Sequence, residues 1–156
     1  MRDAPALTIR RADAADLPGI LALHAQPDLD DGEVLALGDA EALFARFARY
    51  PDYGLYVAVD GNSVVGTFAL LVMDNLGHCG APSAIVEGVA VAPDRQGGGI
   101  GRRMMAEALA IAGRKGCYKL TLSSNLKRTA AHAFYDGLGF ERHGFSFRVH
   151  LGNPAP

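Results

Sequence analysis

The sequence predicts an α+β fold with a central mixed, mostly antiparallel sheet and about four flanking helices. Three observations carry that prediction. Apolar residues recur at helical spacing in some segments and alternate in others, so two kinds of element interleave along the chain. Tyr53–Val59 and Val64–Met73, two β-rich runs around Asp60-Gly61-Asn62, read as a hairpin. No repeat, linker or low-complexity segment interrupts the 156 residues, a length that suits one domain.

The elements follow in order. Leu7–Arg11 reads as a short strand, and Ala14–His24 as a helix with Leu17, Ile20, Leu21 and Leu23 on its apolar stripe. Residues 26–38 form an acidic loop carrying Asp28, Asp30, Asp31 and Glu33. Asp39 is placed to cap a second helix, with Leu43, Phe44 and Phe47 on one face and Pro51 as its stop. After the hairpin, Asn75–Pro82 reads as a loop and Ser83–Val91 as a strand ending before Pro93. Ile100–Ala112 is a helix with Met104, Met105, Ala108 and Ile111 turned inward, closed by Gly113 and Gly116. Cys117–Ser123 reads as a strand, Arg128–Leu138 as a helix, and Glu141–Leu151 as a last strand with Phe145, Phe147 and Val149 on one face.

Composition bounds the function. At 49% hydrophobic and 21% charged residues the chain can bury a core, which excludes intrinsic disorder. A net charge of −2 argues against a nucleic-acid specialist. That near-zero sum hides a split: residues 1–94 hold 5 basic and 14 acidic side chains, residues 95–156 hold 10 and 3. Such asymmetry suggests two kinds of ligand, an anionic one for the second part and a cationic one for the first. Cys79 and Cys117 show no ligand or disulfide spacing, so no metal is expected. The start has no apolar signal region, and the longest apolar run, Val64–Met73, is about half of the ~20 residues a membrane helix needs. A cytoplasmic protein without membrane or nucleic-acid partners is the expectation.

The informative stretch runs from Glu87 to Arg103, where a strand leads through Gly97, Gly98, Gly99 and Gly101 into a helix. Glycines allow a ligand close to the backbone, and a fresh helix N-terminus offers unpaired N–H groups and a positive dipole end. Arg95, Arg102 and Arg103 add full positive charges. The combination suits phosphate; a flexible turn with a helix cap is the competing explanation. The spacing departs from the P-loop, which needs Gly-Lys-[Ser/Thr], and from G-x-G-x-x-G, since Arg102 stands where the last glycine would be.

Val91-x-Pro-x-x-Gln96-Gly-x-Gly99-Ile-Gly101 closely resembles the acetyl-CoA signature of the GNAT superfamily of N-acetyltransferases. Ala131-His-Ala-Phe134-Tyr135-Asp-Gly-Leu-Gly139-Phe140 resembles its second motif, and the element order is that of the superfamily over nearly the whole chain. The resemblance implies one GNAT-like domain over 1–156 with splayed central strands, acceptor-side elements over about 1–82 and an acetyl-CoA-binding core over about 83–151. It implies that backbone amides of Gln96, Gly97, Gly98, Gly99, Ile100, Gly101 and Arg102 cradle the CoA pyrophosphate. Backbone groups of Val89 and Val91 would pair with the pantetheine arm as an added strand.

By the same resemblance, Tyr135 matches the tyrosine that protonates the departing CoA thiolate. A phenol with a pKa near ~10 is protonated at neutral pH and suits that task; a core aromatic is the plainer alternative. Glu87 stands where some members place a base that deprotonates the amine, although a solvent-facing strand-end charge fits as well. Many members carry Asn seven residues before the tyrosine; here Arg128 holds that position and Asn125 lies ten before. Asn125 is then a pantetheine contact and Arg128 a phosphate contact, while Lys127 reads as a solvated charge. His78 and His132 read as structural or exposed.

Gly116–Leu122 resembles the corresponding strand of glucosamine-phosphate N-acetyltransferases. Asn125–Tyr135 with Phe145-x-Phe147 resembles aminoalkylphosphonate N-acetyltransferases. Together they imply direct acetyl transfer from acetyl-CoA to a primary amine of a small molecule, in a ternary complex and without a covalent enzyme intermediate, by a chain that forms a homodimer. The alternatives are a protein or peptide N-acetyltransferase and a CoA-binding regulatory module without turnover.

Overall fold

The structure, a computed structural model, describes residues 6–152. The chain divides into two compact units, one through Leu122 and one from Ser123.

The first unit is built on a five-stranded sheet in the order β1-β2-β3-β4-β5. Its strands are β1 (Thr8–Arg11), β2 (Tyr53–Asp60), β3 (Ser63–Met73), β4 (Ser83–Val91) and β5 (Lys119–Thr121). The first four are antiparallel to their neighbours, and β5 runs parallel to β4. Three helices accompany them: α1 (Leu17–His24), α2 (Leu37–Phe47) and α3 (Ile100–Arg114). The expected α+β class and mixed sheet are what forms.

Strand alternation sorts the helices to two faces. Leu55, Val57 and Val59 point to one side, where Val57 joins Leu17 and Ile20 of α1 in a cluster that also takes in Phe44 of α2. Ala58 points to the other side, beside Gly66, Ile100 and Met104 of α3. A Cβ at Gly66 would stand 2.5 Å from the Met104 sulfur and 3.3 Å from Ala58 and Ile100, so a larger residue would force the buried Met104 side chain to shift. Phe68, Leu70, Met104, Met105 and Val57 are fully buried, each worth about 1.5–3 kcal/mol of apolar transfer.

Local chemistry sets the entry to α1. Asp13 accepts from the Ala15 N–H (2.9 Å), and the Asp13 N–H donates to Asp16 (2.8 Å), a capping box across the short turn Ala14–Asp16. Arg10 of β1 grips both Asp16 oxygens at 2.7 and 2.9 Å. That ties the first strand to the first helix.

Four expectations need correction. Helix α2 starts at Leu37, with Ala36 at its N-cap, so Asp39 sits in the first turn and favours the helix dipole without capping it. It also ends at Phe47, short of Pro51. β5 keeps three residues of the longer strand expected over Cys117–Ser123. The Cys117 N–H donates to Ala112 O and the Tyr118 N–H to Pro82 O, so both belong to the approach to the strand. The last strand, Glu141–Leu151, does not form: alternation is present, but no described strand pairs with it.

In the second unit, α4 spans Thr129–Gly137. It closes with Gly139 at φ 84°, the Phe140 N–H bonding Tyr135 O and the Gly139 N–H bonding Asp136 O. This is the αL closure that glycine permits. Asp136 and Arg142 pair through two hydrogen bonds of 3.1 and 2.6 Å just beyond it.

Candidate functional site

Strands β4 and β5 stay together only over Ser83–Ile85 and Lys119–Thr121. From Val86 to Val91, β4 is paired with β3 on one side and with no strand of the described residues on the other. The pairing also slips: Thr67 faces Ala90 and Ala69 faces Glu87, so Gly88 and Val89 together stand opposite Phe68. This is a β-bulge, and Gly88 takes φ 60° within it. A free edge with an irregular backbone is suited to hydrogen-bond an extended ligand arm.

Glu87 lies on the α1 face, because it pairs with Ala69 and Ala69 with Leu55 of the α1 cluster. It is exposed. The Tyr53 phenol on the same face is pushed above its ordinary range, first by burial and then by the negative charge of Glu87. Val89 and Val91 are half-buried on the free edge. The Val91 carbonyl accepts from the side-chain amides of Gln26 (3.1 Å) and Gln96 (3.2 Å).

Beyond Val91, the turn Pro93–Arg95 leads through Gln96 to the glycines. Gly97 takes φ 78° and Gly99 φ 84°, and nothing lies within 4 Å of a Cβ at either. Backbone conformation therefore demands glycine at these two positions, while the space beside them is open. Gly99 is the N-cap of α3, and no side chain caps that helix. The N–H groups of its first turn are thus available to an anion, at the positive end of a fifteen-residue helix. Ile100 is buried and anchors the helix start; Gly101 follows it.

The three arginines differ. Arg95 pairs with Asp60, which raises its pKa, and Arg103 donates to Leu7 O at 2.7 Å. Both line a cavity of about 250 Å³ beside Gly98 and Ile100. Arg102 is exposed and makes no ion pair among the described residues.

In the second unit Tyr135 is packed edge-on against Phe134 (5.1 Å) and Phe140 (5.6 Å). Burial raises its pKa, and the Arg128 cation opposes that rise. The phenol is therefore protonated at neutral pH. Asn125 is engaged in its own turn: its side chain accepts from the Lys127 N–H (3.0 Å), and its carbonyl meets His132 Nε2 (2.9 Å). His132 is thus tied into the loop, as a structural role requires. His78 of the first unit stacks on Tyr118 at 4.0 Å.

Sequence reasoning passed over Gly88, Gln26 and His24. A lone glycine inside an apolar strand was the available signal for the bulge. Gln26 and His24 carried none, since their partners lie about 65 positions away in the chain. Among the described residues no group of three His, Cys, Asp or Glu could hold a metal ion, and no helix is long and apolar enough to cross a membrane.

Comparison with known proteins supplies the context. The model of the acetyltransferase (GNAT) family matches residues 20–140. A glucosamine 6-phosphate N-acetyltransferase of Trypanosoma brucei brucei is 32% identical over 88 residues, 56% of this chain and 58% of that protein, so the match spans little more than half of that relative's length. An aminoglycoside N(6')-acetyltransferase type 1 of Stenotrophomonas maltophilia is 35% identical over 88% of both chains. An aminoalkylphosphonate N-acetyltransferase of Salmonella typhimurium is 29% identical over 92% of this chain and 90% of its own. Among solved structures, an acetyltransferase assignment from Agrobacterium tumefaciens strain C58 superposes with a TM-score of 0.86 at 31% identity, covering 92% of this chain and 99% of that one.

Proposed function

This chain belongs to the acetyltransferase (GNAT) family, whose members are acyl-transfer enzymes, and on that premise we propose that it moves an acetyl group from acetyl-CoA to a primary amine of a small molecule. The observation that carries the reading is the free, bulged edge of β4 running into an uncapped helix N-terminus. Extended polar arm and polyphosphate are the two chemistries that such an edge and such a terminus accept. The three relatives, all named as N-acetyltransferases of small amines, support the same acceptor class.

Acetyl-CoA supplies, when bound, an acetyl thioester and a thiolate leaving group. The chain's residues do the rest. Backbone N–H groups from Gln96 to Arg102 hold the pyrophosphate, and the Arg102 guanidinium adds a free positive charge. The Val89 backbone and the Val91 N–H take the pantetheine arm along the free edge; Asn125 and Arg128 are further contacts to the same ligand. Glu87 accepts a proton from the acceptor ammonium, directly or through water, because only the neutral amine can attack. The Tyr135 phenol donates its proton to the leaving sulfur. Holding both reactants in one complex contributes a large share of the rate. The protein works in the cytoplasm as a homodimer.

The test follows thiol release from acetyl-CoA with glucosamine 6-phosphate, 2-aminoethylphosphonate, an aminoglycoside and a peptide with a free N-terminus. At least one small amine is expected to react, and Tyr135→Phe to lower kcat by about 100-fold with unchanged melting temperature. Reaction of the peptide alone would move the protein to the peptide-modifying class. Silence of every amine, with tight CoA binding, would make it a CoA-responsive module.

A further inference from the structure

His24 closes α1 with its imidazole against the β4 bulge: Nε2 lies 3.7 Å and Cε1 4.0 Å from where a Cβ on Gly88 would stand. Nε2 is buried and has no hydrogen-bond partner. A polar nitrogen withdrawn from water without a partner costs free energy, and such a group calls for a reason. Here the reason lies in its address. Gly88 presents no side chain to the ring, it occupies the bulge of the unpaired β4 edge, and its neighbour Glu87 is on the α1 face.

The backbone that carries the ring is held in place by its neighbours. Gln26, two residues on, is bonded to Val91 O, which fastens the end of α1 to the same edge of β4. The following loop folds back over the helix end, its Asp30 N–H donating to His24 O (3.0 Å) and its Gly32 N–H to Ala25 O (2.9 Å). That loop brings Asp28, Asp30, Asp31 and Glu33, a field that attracts a cation.

We propose that His24 is an acceptor-binding residue: its Nε2 accepts a hydrogen bond from the substrate ammonium at the Gly88 bulge, orienting the nitrogen before Glu87 takes the proton. No bond to His24 forms or breaks. Gly88 has no side chain to stand between Nε2 and a ligand at the bulge. The inference rests on the acetyl-transfer reading and adds to it a residue that selects the amine.

Two substitutions and one spectrum test it. Glutamine can carry an amide oxygen to the Nε2 position, whereas asparagine falls short of it. His24→Asn is expected to raise the acceptor KM by about 10- to 100-fold with the acetyl-CoA KM and melting temperature unchanged, and His24→Gln to recover most of the loss. In uniformly 15N-labelled protein, the His24 Nε2 resonance, assigned by its loss in the variant, should move when the reactive amine from the panel above is added without acetyl-CoA. If that amine is acetylated by the wild type while the resonance stays still and His24→Asn keeps its acceptor KM, the proposal fails and the acetyl-transfer reading stands. If both variants raise both KM values together and lower the melting temperature, His24 is structural. If the wild type acetylates no amine at all, the underlying reading falls and this one with it.

Discussion

Asp16 shows how much one side chain can hold in this fold. It is buried, it closes the capping box on Asp13, and it receives both prongs of Arg10. The Arg10 hydrogen bonds hold its pKa below the ordinary carboxylate value, against the upward push of burial. A depressed folded-state pKa means that the carboxylate stabilises the fold above its unfolded-state pKa, and that this contribution is lost as pH falls through the lowered value. Asp16→Asn is therefore expected to cost about 1–2 kcal/mol near pH 7, tempered because Arg10 is partly exposed, and almost nothing at strongly acid pH. Urea unfolding at the two pH values measures it; an equal loss at both would mean the charge is not what matters. At this scale the sequence suggests candidates, Tyr135 from its motif and Glu87 from its place on the strand. The orphaned Nε2 of His24 was not, because its state depends on Gly88, 64 positions later, and on packing that no local spacing encodes.

Elements were legible where local chemistry dictates them. The Gly61 turn, β4 and the start of α3 fall at the expected places, since a positive φ or a missing cap writes itself into the residue type. The glycine turn makes a direct prediction. Gly99 has open space around it but φ 84°, so Gly99→Val strains the backbone by about 1–3 kcal/mol while clashing with nothing. The turn should shift, and the CoA dissociation constant should rise at least tenfold by calorimetry with the far-UV spectrum unchanged. An unaltered affinity would remove the turn from the site. Misreadings arose where an element depends on a partner. The alternation of Phe145, Phe147, Val149 and Leu151 fits a strand, yet a strand exists only when another edge satisfies its backbone, and none among the described residues does so.

For the whole molecule, those four side chains are 91%, 92%, 77% and 92% exposed, an apolar stripe that a protein in water has reason to cover. The proposed homodimer makes that cover testable. Sedimentation should then give twice the 16.4 kDa chain mass, and Phe145→Asp with Phe147→Asp should return the single-chain value. A wild-type protein of single-chain mass would end that assignment. The charge split also acquires a physical counterpart within the first unit: Arg95 pairs with Asp60, Arg114 with Glu107 and Lys115 with Asp52, Arg103 donates to Leu7 O, and Arg102 makes no ion pair among the described residues. By itself the sequence determined the fold class, the glycine turn at the head of a helix and the family, because periodicity, positive φ and short motifs are local properties that residue types express directly. Only tertiary structure decided the parting of β4 from β5, the bulge at Gly88, the work done by each arginine and the fate of the last strand. These depend on which distant groups meet, and a hydrogen bond or an ion pair belongs to two positions at once.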